Sequence, residues 1–137
     1  MAVNPQQRYL EVQVKTATPE KLVTMLYDGA IRFMRQAQKH LAAQDFLEAH
    51  NNLLRAQDIL YELMANLNME AGGEIAQNLC QLYDFMITTL IEANIKKDSS
   101  KVETVLVMLT DLRQTWVQAM NGLAAQTNGQ DRLDIGS

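Results

Sequence analysis

Any chemistry in this sequence would have to come from His40, His50, Cys80 and a scatter of sixteen aspartates and glutamates. A di-metal centre in a helical protein uses inward glutamates with Glu-x-x-His pairs, because a three-residue step puts both ligands on one face. Neither histidine has a glutamate three residues before it. Glu48 and His50 lie two apart and diverge on a helix, while His40 and Asp45 flank a turn, so neither pair has metal-ligand spacing. A nucleophilic cysteine needs a base and an electropositive setting, yet Cys80 stands among Asn78, Leu79, Gln81 and Leu82, where a packing role fits. In "QKHLAAQ", His40 could carry a phosphoryl group in a phosphotransfer bundle, but such a carrier belongs mid-helix and His40 falls near a helix end. The pair Gly72-Gly73 follows no strand, as a phosphate-binding loop would require. We therefore expect no catalytic residue, cofactor or metal.

At 137 residues the chain fits one domain and can bury a core without disulfides or metal. Apolar residues make up 47% and charged residues 20%, which is ordinary globular usage. The net charge of −4 argues against a nucleic-acid surface. The basic residues Lys15, Lys21, Arg32, Arg35 and Lys39 have no interleaved aromatics on which bases could stack, and read as a solvated face. No secretory leader and no run of about eighteen apolar residues is present, so membrane insertion is not expected. An unpaired cysteine suits a reducing cytoplasm.

The elements are helical. After Pro5 and Pro19 no proline interrupts the chain. Thr18 can cap a first helix over 19–43, with Pro19 at its first position and Glu20 near the positive end of the dipole. Leu22, Leu26, Ala30, Phe33, Ala37 and Leu41 form its stripe, leaving Val23, Met25, Tyr27, Ile31 and Met34 outside. Asp45 with Glu48 starts a second helix to about Asn66, with the stripe Phe46, Leu53, Leu54, Gln57, Leu60, Met64, Leu67. The third runs from Gly73 to Lys97 on Ile75, Leu79, Leu82, Tyr83, Met86, Leu90 and Ala93. Ser100 with Glu103 caps a fourth, on Val102, Val105, Leu106, Leu109, Leu112, Trp116, Ala119 and Leu123, fading near Ala124. Short links make neighbours antiparallel, so the fold expected is an all-α, antiparallel up-and-down four-helix bundle. The predicted organisation is an N-terminal arm over 1–17 packed on the bundle, the bundle over 18–125, and a flexible polar tail over 126–137.

These helices carry more apolar surface than one core uses. Eight methionines are present, and Met25, Met34, Met64 and Met108 fall beside the main stripes. Flexible, polarisable methionine suits a surface that adapts to a partner, although periodicity alone favours a core stripe. Gly29 inside the first helix costs about 1 kcal/mol against alanine and so implies close approach of another backbone, from a neighbouring helix or from a partner.

Several blocks occur in order: Tyr9, then Val14 with Thr16-Ala17 and Pro19, then "MLYDGA" over 25–30, then "GGEIA" over 72–76 and "LYD" over 82–84. In these blocks the chain resembles the FliS family of flagellar export chaperones, from Tyr9 to about Met120. The resemblance implies a cytoplasmic, non-enzymatic bundle that binds the disordered C-terminal segment of flagellin, stops it polymerising early and delivers it to the type III export gate, with room for a co-chaperone. It gives the surplus apolar surface a role, because short amphipathic client helices would lie in grooves between bundle helices. On that reading the partner-binding residues are Tyr9, Leu10 and Val14 of the arm, Met25 and Tyr27 of the first helix, Leu54, Gln57, Tyr61 and Met64 of the second, and Tyr83, Met86 and Leu90 of the third. The arm is equally read as a hydrophobic staple for the first helix, and Gln57 as a buried polar group with an internal partner. A secretion adaptor for another client is the other class in play.

Overall fold

The computed structural model describes residues 18–135, with side chains through residue 124; the expectations for Tyr9, Leu10 and Val14 lie outside the described residues. Four helices follow one another: α1 (Pro19–Ala42), α2 (Phe46–Ala65), α3 (Met69–Lys96) and α4 (Ser99–Ile135). No strand occurs among the described residues.

Local chemistry explains most of the boundaries. Thr18 is extended and accepts the Lys21 N–H at 3.2 Å, with Pro19 in the first turn, where a missing N–H costs nothing. Asp45 caps α2 through the Glu48 N–H at 3.4 Å, after a left-handed Gln44 reverses the chain. The third helix starts four residues earlier than its apolar period predicts, because Asn68 accepts the Ala71 N–H at 3.0 Å and caps it at Met69. Gly73 then lies inside α3 at φ 52°, ψ −128°, and kinks it. The cap of α4 is Asp98 rather than Ser100. Its carboxylate accepts the Ser100 N–H at 2.9 Å and the Ser100 hydroxyl at 2.6 Å, and these bonds hold it below the usual carboxylate range. The last helix does not fade near Ala124 but continues to Ile135, since no proline or cap ends it there.

The kink carries a prediction. Gly73 occupies a backbone region that side-chain-bearing residues rarely enter, while a Cβ there would meet nothing within 4 Å. Gly73→Ala is therefore expected to destabilise the fold by about 1–3 kcal/mol through backbone strain alone. Urea unfolding measures it; an unchanged midpoint would mean that α3 straightens without loss.

In cross-section the helices form a ring, with α1 packed on α2 and α4, and α3 packed on the same two. This is the up-and-down bundle expected from the short links. Its centre is Met34, Leu53, Leu60, Met86, Leu90, Val102, Val105 and Leu109. The α1 stripe is rotated from the expected one: Tyr27, Ile31 and Met34 are buried, whereas Leu22, Leu26 and Phe33 are only partly so. On α2 and α3, Ala49, Ala56, Ala76 and Ala93 enter the core, and Phe46, Leu54, Ile75 and Leu82 stay exposed. Two stripes of identical period lie side by side on such helices, and only the positions of the neighbours choose between them. Gly29 allows α2 to approach, since a Cβ there would stand 3.1 Å from Ile59 Cδ1. The neighbouring helix is thus a sufficient reason for that glycine.

Candidate functional site

Exposed apolar side chains gather along the two flanks of α3. On α2, Leu47, Leu54 and Tyr61 recur every seven residues and so share one side. His50, on that same side, exchanges a hydrogen bond with Asn94 of α3 through Nδ1 at 2.8 Å. Ile91 and Ile95, one turn apart, bracket Asn94. The α2/α3 seam is thereby bordered by exposed Leu47, Leu54, Tyr61, Ile91 and Ile95, the first and last being 70% and 77% exposed. Apolar side chains left exposed on both sides of one seam are a candidate surface for a partner.

The other flank of α3 faces α4 and holds an open, mainly apolar pocket of about 230 Å³. Met86 is its floor, Leu82, Met108 and Leu112 its walls, and Asp111 and Thr115 its polar rim. Phe85, one turn from Leu82 and half exposed, extends the apolar edge. Methionines at floor and wall let this groove reshape at little cost.

The partner-binding residues expected from the sequence divide into three groups. Leu54 and Tyr61 are exposed on the α2/α3 seam, and Met86 reaches the α3/α4 pocket from the core. Met25 and Met64 are half-buried, Met64 against the core. Tyr27, Gln57, Tyr83 and Leu90 lie in the interior, at 4%, 7%, 2% and 0% exposed. Leu47, Leu82, Phe85, Ile91 and Ile95 were missed as surface residues. The seven-residue repeat 47/54/61 and the isoleucines lying off the Met86–Leu90 line were the available signal.

Tyr27 and Tyr83 bind each other, hydroxyl to hydroxyl at 2.6 Å, joining α1 to α3 diagonally through the core. Burial raises both phenols above the ordinary tyrosine value of 10.0. The unfolded chain therefore loses these protons at lower pH than the folded one. The pair's contribution to stability is fully present below pH 10.0 and is predicted to be lost as pH rises above it, with a shallower fall in the double phenylalanine variant. Removing one hydroxyl, in Tyr27→Phe, is expected to cost about 1–3 kcal/mol by stranding its partner, and the Tyr27→Phe/Tyr83→Phe pair much less. Urea midpoints of the four proteins form the cycle; additive losses would show that the two hydroxyls are not coupled.

The residues with chemical potential are otherwise engaged. His40 Nδ1 lies 3.5 Å from Asp45 Oδ2 at the end of α1, tying the helix to the following turn. Arg32 and Arg55 both lie over the Phe33 ring, at 5.2 and 5.6 Å. Cys80 is partly buried on α3. Among the described residues, no three His, Cys, Asp or Glu side chains are grouped to hold a metal, and no helix is long and apolar enough to cross a membrane.

Known proteins similar to this chain are flagellar proteins. The model of the family described as flagellar protein FliS matches residues 2–123. The flagellar secretion chaperone FliS of Bacillus subtilis is 35% identical over 126 residues, which covers 92% of this chain and 93% of the relative. The flagellar secretion chaperone FliS of Salmonella typhimurium is 37% identical over 110 residues, 80% of this chain and 82% of the relative. A crystal structure of a bacterial flagellar chaperone superposes with a TM-score of 0.72 over 86% of this chain and 99% of its own, at 18% identity, a likeness of fold.

Proposed function

Because the chain belongs to the FliS family, and so to the flagellar secretion chaperones, we propose that its client is flagellin, held by the disordered C-terminal segment in the apolar grooves on either side of α3. The observation that carries this reading is the pair of exposed apolar flanks, the α2/α3 seam and the α3/α4 pocket, on a helix whose third face completes the core. An extended segment can reach both by wrapping around α3 and placing one short amphipathic helix in each groove. Each docked helix buries its apolar face and is thereby kept from the packing that builds a filament. The complex forms in the cytoplasm and passes its client to the type III export gate; a co-chaperone has space on the surface left uncovered.

Ordering a disordered segment costs roughly 2–5 kcal/mol and is offset by burying on the order of 1,000–3,000 Å², which is why two grooves serve better than one. The N-terminal residues Tyr9, Leu10 and Val14 complete the proposal as a displaceable arm. Tyr9→Ala should alter client or gate affinity, and unchanged affinity for both would reduce the arm to a helix staple.

Calorimetric titration with flagellin, and with flagellin lacking its C-terminal segment, tests the reading. One-to-one binding to the first with a negative heat-capacity change, and none to the second, is the expected result. Equal binding to both would place the recognised segment elsewhere in flagellin, and preference for a non-flagellin export substrate would give the grooves a different client.

A further inference from the structure

The seam between α1 and α4 is polar and nearly complete. At one end Trp116 Nε1 donates to Glu20 O at 3.2 Å and to Thr24 Oγ1 at 3.0 Å. Next along the seam, Arg113 Nε donates to Asp28. Towards the other end, Gln38 Nε2 donates to Glu103 Oε2 at 2.6 Å. Between the last two contacts is a pocket of about 250 Å³ lined by Asp28, Ile31, Arg35, Thr110 and Arg113. Thr110 turns its hydroxyl to Leu106 O of its own helix at 2.7 Å. Arg35 has no carboxylate partner among the described residues. Arg113 meets Asp28 through Nε, so the far edge of its guanidinium is not used in that contact.

The surroundings reinforce the charge. From Gly29 to Gln44 the sequence holds no aspartate or glutamate, and Arg32, Arg35 and Lys39 share one exposed face of α1 in a chain whose net charge is −4. Two guanidiniums and one carboxylate leave the pocket with one net positive charge. That balance matches a single carboxylate better than a doubly charged phosphate. Guanidinium forks bind carboxylates through two parallel hydrogen bonds. A nucleic acid fits poorly, because bases need a free aromatic face to stack on and Trp116, the aromatic side chain of this seam, is held by its hydrogen bonds to Glu20 O and Thr24 Oγ1.

We infer that the Arg35–Arg113 pocket of the α1/α4 seam is a docking site for a carboxylate side chain in an acidic segment of a partner protein. In the ring α1 sits diagonally across from α3, so this site is separate from both apolar grooves and stays open while they are filled. The partner binds by charge, with affinity that falls as salt screens it.

Fluorescence anisotropy of the full chain tests the site with three labelled probes at low salt: a short Asp/Glu-rich peptide, its Asn/Gln counterpart, and a single-stranded oligonucleotide. The acidic peptide is expected to bind and the amide peptide not to. Arg35→Glu should weaken binding about tenfold or more, equivalent to about 1.4 kcal/mol. Lys96→Glu, an identical charge change on exposed α3, should leave it within about twofold, the scale of a distant, screened charge. Circular dichroism verifies that both variants remain folded. Equal losses in the two variants would reduce the effect to net charge and overturn the site, as would tighter binding of the oligonucleotide or no binding of the acidic peptide.

Discussion

Leu54→Asp combined with Ile91→Asp is expected to leave the bundle folded and to weaken flagellin binding by about 30-fold or more. Both side chains border the α2/α3 seam, one from each helix, at 41% and 40% exposed. Neither belongs to the buried cluster, so no cavity opens when they are shortened. Exposed substitutions of this kind usually alter stability by no more than about 0.5 kcal/mol each. In a client complex the effect is different, because a carboxylate under a docked helix is desolvated without a partner. Truncation at the centre of such an interface commonly costs 2 kcal/mol or more, which is about 30-fold in affinity. Calorimetry with flagellin gives the affinity, and a urea titration of each protein gives the stability. Full affinity in a folded double variant would remove the client from this seam and leave the α3/α4 pocket as the groove to test.

Leu90→Ala should produce the opposite pattern. Leu90 is fully buried between the helices, and replacing it leaves a void that the surrounding side chains only partly refill. The expected loss is about 2–5 kcal/mol of stability. A domain of this size has only about 5–15 kcal/mol in total, so the unfolding midpoint should move far. Client affinity, measured where the variant is still folded, should be close to that of the unaltered protein. Lost affinity at unchanged stability would mean that the client opens the bundle and contacts Leu90 directly. The contrast between Leu54/Ile91 and Leu90 separates surface from core on helices whose apolar residues look alike in the sequence.

That likeness marks how far the sequence could be read. Helix content, the caps at Thr18 and Asp45, the short reversals and the up-and-down order all follow from local rules: side-chain oxygens satisfy free N–H groups, and a three-or-four spacing makes a stripe. The family was legible too, since its blocks are runs of adjacent residues. Local rules failed first where two caps competed. Asn68 starts α3 four residues before its apolar period does, and Asp98 replaces Ser100 as the cap of α4, because the hydrogen bonds made at each cap fix where the helix begins.

The candidate site was only partly legible, for a different reason. Tyr27, Ile31 and Met34 fall outside the expected α1 stripe, yet they face the interior. Phe46, Leu54, Ile75 and Leu82 lie on the stripes that predict a core and face solvent. Periodicity gives the width of an apolar face and not its azimuth. Likewise, the polar α1/α4 contacts pair residues 65 to 96 positions apart, a distance at which no sequence spacing is informative. By itself, then, the sequence determined four helices, their order and their family, because each depends on residues within a turn or two of one another. The tertiary structure alone decided which of two equal stripes is core and which is groove, because that choice is made by where the neighbouring helices stand.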